Sequence, residues 1–131
     1  MKYDYELKTP QEGCIDITMQ VCEAIAISGV SNGIVVVYCP HTTAGMTINE
    51  NADPSVVRDV LLGLERAFPD RAEFRHAEGN SAAHLKASSI GSSITAIIED
   101  GRLILGTWQS VYFCEFDGPR SRRFYVKVIE G

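Results

Sequence analysis

Polar and apolar positions alternate from the start of the chain. Tyr3, Tyr5 and Leu7 are interleaved with Asp4, Glu6 and Lys8, and Thr9-Pro10 closes the run. A period of two predicts a half-exposed or edge strand. From Cys14 to Ser28 two periods compete. Ile15, Met19, Cys22 and Ala26 recur at helical spacing, while Ile17, Met19 and Val21 also fit alternation. The length of the run, and Gly29 just past its end, favour a helix. Ile34 to Cys39 is an unbroken run rich in β-branched residues, the pattern of a strand buried on both faces, and Pro40 ends it. Thr43 to Ile48 resumes as another strand after a bulge.

Asp53-Pro54 is the clearest helix start in the chain. Asp53 can cap, and Pro54 brings a preset φ to the first helical position. Val57, Val60, Leu61, Leu64 and Phe68 then form one apolar stripe, stopped by Pro69. A second short helix is predicted from Ser81 to Ile90, with Gly91 at its C-terminal end. Ser92 to Ile98 reads as a strand that turns back through Glu99-Asp100-Gly101-Arg102 to Leu103–Leu105, since Asp-Gly tolerates the positive φ of a tight hairpin turn. Ser110 to Phe116 and Arg122 to Ile129 read as a second hairpin around Asp117-Gly118-Pro119-Arg120, with Phe124, Val126 and Val128 on one face. About seven or more strands with two or three helices, lacking βαβ alternation, indicate an α+β fold with a β-sandwich-like, antiparallel-rich core. The chain of 131 residues matches one domain spanning all of it.

Charge and cysteines narrow the classes. The net charge of −5 opposes nucleic acid or an anionic membrane as partner, with Arg120, Arg122 and Arg123 the local exception. No stretch approaches the ~20 apolar residues of a membrane span and no signal peptide opens the chain, so the cytoplasm is the expected location. Cys14, Cys22, Cys39 and Cys114 have neither CxxC spacing nor the density of a disulfide scaffold, and read as small core hydrophobes. On one helix Cys14 and Cys22 would lie about 12 Å apart, too far for a disulfide.

All three histidines sit in short polar segments punctuated by glycine. His41 opens HTTAG, where Thr42, Thr43 and Gly45 supply hydroxyls and close backbone approach. His84 falls in the first turn of the short helix, where the dipole favours the neutral ring that binds metal, and Asn80-Ser81 could instead hold an anion. His76 stands in a charged run. Neutral imidazole is both a metal ligand and a general acid or base, and three His with an open fourth position is one arrangement of catalytic zinc. Asn49 and Glu50 form a polar cluster with Asn51, and Glu50 could serve as general base. Trp108 and Gln109 interrupt two apolar strands, a placement that suits either the core or a pocket wall. Glu115 and Asp117 read as ordinary turn ion pairs with Arg120, the competing reading being that Arg120, Arg122 and Arg123 present a fork for a phosphate.

The segments HTTAG (41–45), INENADP (48–54), HAEGNSAAHLKAS (76–88), GSS (91–93), EDGRLILGTWQ (99–109) and FCEFDGPRSRR (113–123) closely resemble the YjbQ family, labelled as secondary thiamine-phosphate synthases. The likeness runs from about Gly33 to the C-terminus. It implies a β-sandwich-like α+β domain and a homotrimer with the motif residues near subunit boundaries. It also implies that His41, His76 and His84 gather around zinc or another divalent metal, magnesium being suited to a pyrophosphate substrate. On this basis the chain is expected to be a cytosolic metal-binding enzyme acting on a small phosphorylated metabolite. His41, His84 and Glu50 would serve catalysis. Thr42, Thr43, Asn49, Asn80, Ser81, Lys86, Trp108, Gln109, Arg120 and Arg122 would bind the ligand. The rival expectation is a non-catalytic trimer that binds a metabolite or metal.

Overall fold

Two antiparallel sheets face one another in the computed structural model, which describes residues 1–131. In chain order the strands are β1 (Lys2–Lys8), β2 (Gly13–Asp16), β3 (Gly33–Tyr38), β4 (Ala44–Glu50), β5 (Ser93–Glu99), β6 (Arg102–Ile104), β7 (Gln109–Glu115) and β8 (Ser121–Glu130). The helices are α1 (Thr18–Ser28), α2 (Pro54–Ala67) and α3 (Ser81–Ile90). The larger sheet has the order β1-β8-β3-β5-β6, and the smaller one β2-β7-β4. This is the expected α+β class with a sandwich core.

The core lies between the sheets. Val35, Val37, Ala96, Ile98, Phe124, Val126 and Val128 from the larger sheet meet Met46, Val111 and Phe113 from the smaller one. Phe113 and Phe124 are both fully buried, with ring centroids 6.3 Å apart, and Tyr5 stacks on Phe124 at 5.2 Å. β7 is the central strand of the smaller sheet and is buried on both faces. Its residues Val111 and Phe113 point into the sandwich, while Tyr112 and Cys114 point outward beneath α2 and α3.

Several sequence expectations are met and several need correction. Asp53 caps α2 by accepting the Ser55 N–H at 2.9 Å, and Pro54 is its first residue. Asp100 and Gly101 have φ of 52° and 74°, the two positive values that a tight β5–β6 turn demands. The run after Cys14, however, begins as strand β2, and α1 starts only at Thr18. Its buried face is Val21, Ala24 and Ile25, following Ile17, whereas Met19, Cys22 and Ala26 face solvent. The alternating and helical periods were thus successive, sharing residues at the junction. β3 is buried on one face only, because nothing in the chain covers the outside of the larger sheet. Across that outer face Ile129, Ile34, Ile97 and Ile104 stand in one cross-strand row, between 38% and 59% exposed. Finally, β7 and β8 do not form a hairpin. β7 pairs with β2 and β4, β8 with β1 and β3, and the Asp117–Arg120 segment is a corner that carries the chain from one sheet to the other. Of the cysteines, Cys39 and Cys114 are buried, Cys14 is half-buried and Cys22 is exposed.

Truncating the ring where the sheets meet tests this packing. Phe113→Ala is expected to destabilise the fold by about 3–5 kcal/mol, since surrounding side chains relax only partly into such a hole. Urea denaturation followed by circular dichroism measures it.

Candidate functional site

The β3–β4 connection, the β7–β8 corner and the start of α3 converge at one end of the sandwich. Continuing the β3–β8 register two residues past Tyr38 would set Pro40 opposite Arg123, and proline has no N–H to extend the ladder. The His41 ring takes over there. Its Nε2 lies 2.9 Å from the Arg123 amide nitrogen and 3.1 Å from the Arg123 carbonyl oxygen, and the ring packs edge-on to Phe113. Accepting the amide proton leaves the ring's own proton on Nδ1. The other tautomer donates Nε2–H to the carbonyl and frees Nδ1 as an acceptor. Burial and the nearby Arg122 charge hold the His41 pKa below its ordinary value of 6.5, so the ring is neutral at pH 7.

Beneath His41 lies a buried polar network. Glu115 is fully buried and Arg122 is 5% exposed. Arg122 donates from Nε to Glu115 Oε1 at 2.7 Å, and from Nη2 to Glu115 Oε2 at 2.5 Å and Thr43 Oγ1 at 2.8 Å. These bonds leave Nη1 unused. Thr9 Oγ1 and the Asp117 N–H also donate to Glu115. Burial alone would raise the Glu115 pKa, but the bonds from Arg122, Thr9 and Asp117 outweigh it and hold the carboxyl below its ordinary 4.5. Glu115 is therefore not the turn ion pair expected of it. That description fits Asp117 and Arg120, which pair at 2.9 Å near the surface.

α3 supplies the facing wall. Asn80 precedes it and donates Nδ2 to Asp117 Oδ2 at 2.7 Å, while its Oδ1 is buried and meets no donor in the chain. His84 follows in the first turns, and His76 from the α2–α3 loop packs edge-on against it with centroids 5.4 Å apart. The result is a cleft of two lobes. One, of about 350 Å³, is lined by His41, Thr43, His76, Asn80, Arg120 and Arg122, with Glu78 at its edge. The other, of about 480 Å³, is lined by His41, His84, Ala87, Ser88 and Gly91. His41, Thr42 and His84 border both lobes. Gly45 sets their spacing, because a Cβ there would stand 2.6 Å from the Gly91 carbonyl oxygen at the α3–β5 junction.

The structure thus brings together His41, Thr42, Thr43, His76, Asn80, His84, Arg120 and Arg122. It separates the rest. Glu50, with Asn49, lies at the opposite end of β4 from His41, beside Gln109 of β7. Trp108 and Gln109 line a different pocket with Asn51. Lys86 is buried and paired with Glu65 and, at 3.4 Å, Glu12, so its charge is already committed away from the cleft. Ser81 is half-buried at the start of α3 and does not line the cleft. The three-histidine metal cage is not assembled either: no three His, Cys, Asp or Glu groups stand close enough to share an ion. His76 and His84 adjoin, but His41 is anchored across the cleft to the backbone of β8. Thr9 and Glu78 were missed: Thr9 lies in no motif that marks a site, and Glu78, although inside the 76–88 motif, belongs to the charged run around His76.

A family model described as UPF0047 protein YjbQ-like matches residues 3–131, extending the likeness through the N-terminal third. The chain is 54% identical to the UPF0047 protein MJ1081 of Methanocaldococcus jannaschii over 130 residues, 98% of this chain and 94% of that one. It is 52% identical to the UPF0047 protein YugU of Bacillus subtilis over 122 residues, 92% of each. Among solved structures, a YjbQ/UPF0047 family protein of Clostridium acetobutylicum superposes with a TM-score of 0.94 at 58% identity, covering 97% of this chain and 99% of that one. A YbjQ-like protein of unknown function from Sulfolobus solfataricus reaches 0.94 at 29% identity, covering 100% and 97%.

Glu115→Ala is expected to cost about 3–5 kcal/mol at pH 7, because it strands a buried guanidinium. Replacing both partners, Glu115→Leu with Arg122→Met, should recover most of that loss. The pair's pH dependence has a definite sign. A carboxyl with depressed folded pKa stabilises above its unfolded value and loses that contribution as pH falls. Wild-type stability should therefore decline below about pH 4.5, the ordinary value for Glu115, and the double variant should show a shallower decline. Urea titrations from pH 3 to 7 measure both effects.

Proposed function

The chain belongs to the UPF0047 protein YjbQ-like family, and we propose that it is an enzyme that takes a small phosphorylated metabolite into the cleft between His41 and His84. The observation that carries this reading is the two-lobed cleft with His41 and His84 bordering both lobes. The lobe with Arg120 and Arg122 suits a phosphate or pyrophosphate group, and the other has room for a second small reactant. Reaction would then occur at the boundary, between two imidazoles. His41, neutral at pH 7, can donate or accept a proton at Nδ1 according to its tautomer. Arg122 is held rigid by Glu115 and offers Nη1 to an entering oxygen. Such an arrangement fits the joining of two substrates with departure of pyrophosphate, the thiamine-phosphate synthase type of reaction, as a secondary activity. That chemistry needs no covalent nucleophile; the chain orients both reactants and meets the leaving group's charge.

A divalent metal fits in part. His76 and His84 are the adjoining nitrogen donors, suited to zinc, and a pyrophosphate substrate could instead bring magnesium. The ion would help neutralise the leaving group, and its remaining ligands would come from the substrate. We also propose that the protein is a homotrimer, with the exposed isoleucine row of the larger sheet buried between copies.

A panel of phosphorylated metabolites, including the substrates of thiamine phosphate synthesis, tests the enzyme reading. Turnover is expected, and His84→Ala should reduce it by roughly 10²–10⁴-fold while melting close to the wild type. Saturable binding with no turnover, under any added divalent metal, would instead support a non-catalytic trimeric metabolite- or metal-binding protein. Light scattering should give a trimer mass, reduced to a monomer's by Ile97→Lys.

A further inference from the structure

We propose that Cys14 and Cys114 are a redox-active dithiol that hydroperoxides convert to a reversible disulfide. Antiparallel pairing of β2 with β7 sets Cys14 directly opposite Cys114, and their Sγ atoms are 3.5 Å apart. Both side chains lie on the outer face of the smaller sheet, beneath α2 and α3. Directly opposed residues of an antiparallel pair have Cα atoms about 4.5–5.5 Å apart, within the range of about 4.4–6.8 Å that a disulfide spans. Closing the sulfurs to about 2.05 Å therefore needs side-chain rotation and no movement of the sheet. Cys22 is exposed on α1 and Cys39 is buried beyond the end of β3, so register singles out the one pair.

The two thiols are unequal. Cys14 is half-buried and lines an open groove of about 280 Å³ that also contains Asp16 and Asp53, while Cys114 is buried. The hydrogen-bonded contact with Cys114 holds the Cys14 thiol below its ordinary pKa although burial pushes the other way. The same bond and burial push the Cys114 thiol up. Cys14 is thus the attacking sulfur and Cys114 the resolving one. Two carboxylates in the groove disfavour anionic oxidants such as glutathione disulfide and leave a small neutral peroxide as the fitting class.

The Cys14 thiolate attacks one oxygen of hydrogen peroxide; the O–O bond breaks, and hydroxide leaves and is protonated to water. The Cys114 sulfur then attacks the resulting sulfenic acid. The S–O bond breaks, and the Cys114 thiol proton leaves with the hydroxyl group as a second water. Two thiols are oxidised and one peroxide is reduced to two waters. A dithiol reductant restores the pair.

Peroxide titration of the purified protein, with peptide mapping and thiol counting, tests the proposal. Reactive thiols in the unfolded chain should fall from four to two, with loss of two hydrogens in mass, a 14–114 linkage and full reversal by dithiothreitol. The oxidised form should melt higher, because the link joins residues 100 apart in sequence. Cys14→Ser should abolish the linkage and Cys22→Ser should retain it. Mass gain by oxygen addition without a 14–114 linkage, or a disulfide between other cysteines, would overturn the proposal. The wild-type map decides this even where a cysteine variant folds poorly.

Discussion

A carboxylate with no solvent exposure can remain ionised only if every one of its lone pairs is met, and that demand organises the upper end of this sandwich. Glu115 receives two bonds from Arg122, one from Thr9 and one from the Asp117 amide, and Arg122 passes a further bond to Thr43. The partners come from the end of β1, the β3–β4 connection, the β7–β8 corner and β8. One ion pair therefore fixes where both sheets stop. Against a well-packed apolar substitute it adds little net stability, because desolvating two charges offsets most of their attraction. What it does is set geometry: displacing any of the four segments would leave Glu115 or Arg122 buried and short of a hydrogen-bond partner.

That geometry explains where the sequence misleads. Asp117-Gly118-Pro119-Arg120 has every mark of a hairpin turn, and the runs on either side alternate as strands do. Local composition specifies that the chain reverses there, but says nothing of whether the returning strand pairs with the one it left. The Glu115–Arg122 bridge spans the gap between sheets, and no spacing rule reveals that a glutamate beside a turn is fully buried. The Asp100-Gly101 turn was legible because positive φ at both positions is a local property, and so was the cap at Asp53. α1 was half-legible. Ile17 and Val21 belong to the buried face, but Met19 is apolar and 84% exposed, so hydrophobicity alone selected the wrong stripe.

The cleft follows the same division. His41, His76 and His84 were marked by their placement in polar, glycine-punctuated segments, and all three do line one cleft. Their number suggested a metal cage, yet imidazoles in a common cleft need not aim at a common point. His41 faces the backbone of β8 because Pro40, with no N–H to offer the Arg123 carbonyl, cannot continue the ladder there, a consequence of register that no motif carries. Lys86 shows the converse. It sits in the same motif as His84, but two residues further along α3 it is turned towards Glu65 and Glu12 and out of the site.

The arginines set the terms on which an anion could be recognised. Arg122 is already neutralised by Glu115 and Arg120 by Asp117, Glu78 borders the same lobe, and the chain as a whole carries a net charge of −5. Long-range attraction is consequently weak, and a bare anion gains little from entering. Under the proposed reading, selection must come from directed donors: the unused Nη1 of Arg122, the fork of Arg120 and the His41 ring. A fixed guanidinium suits that role, since a planar fork held in place loses little freedom when an oxygen docks against it. The same buried pair that closes the sandwich thus makes Arg122 a rigid donor at the base of the cleft, and its charge helps keep His41 neutral beside it.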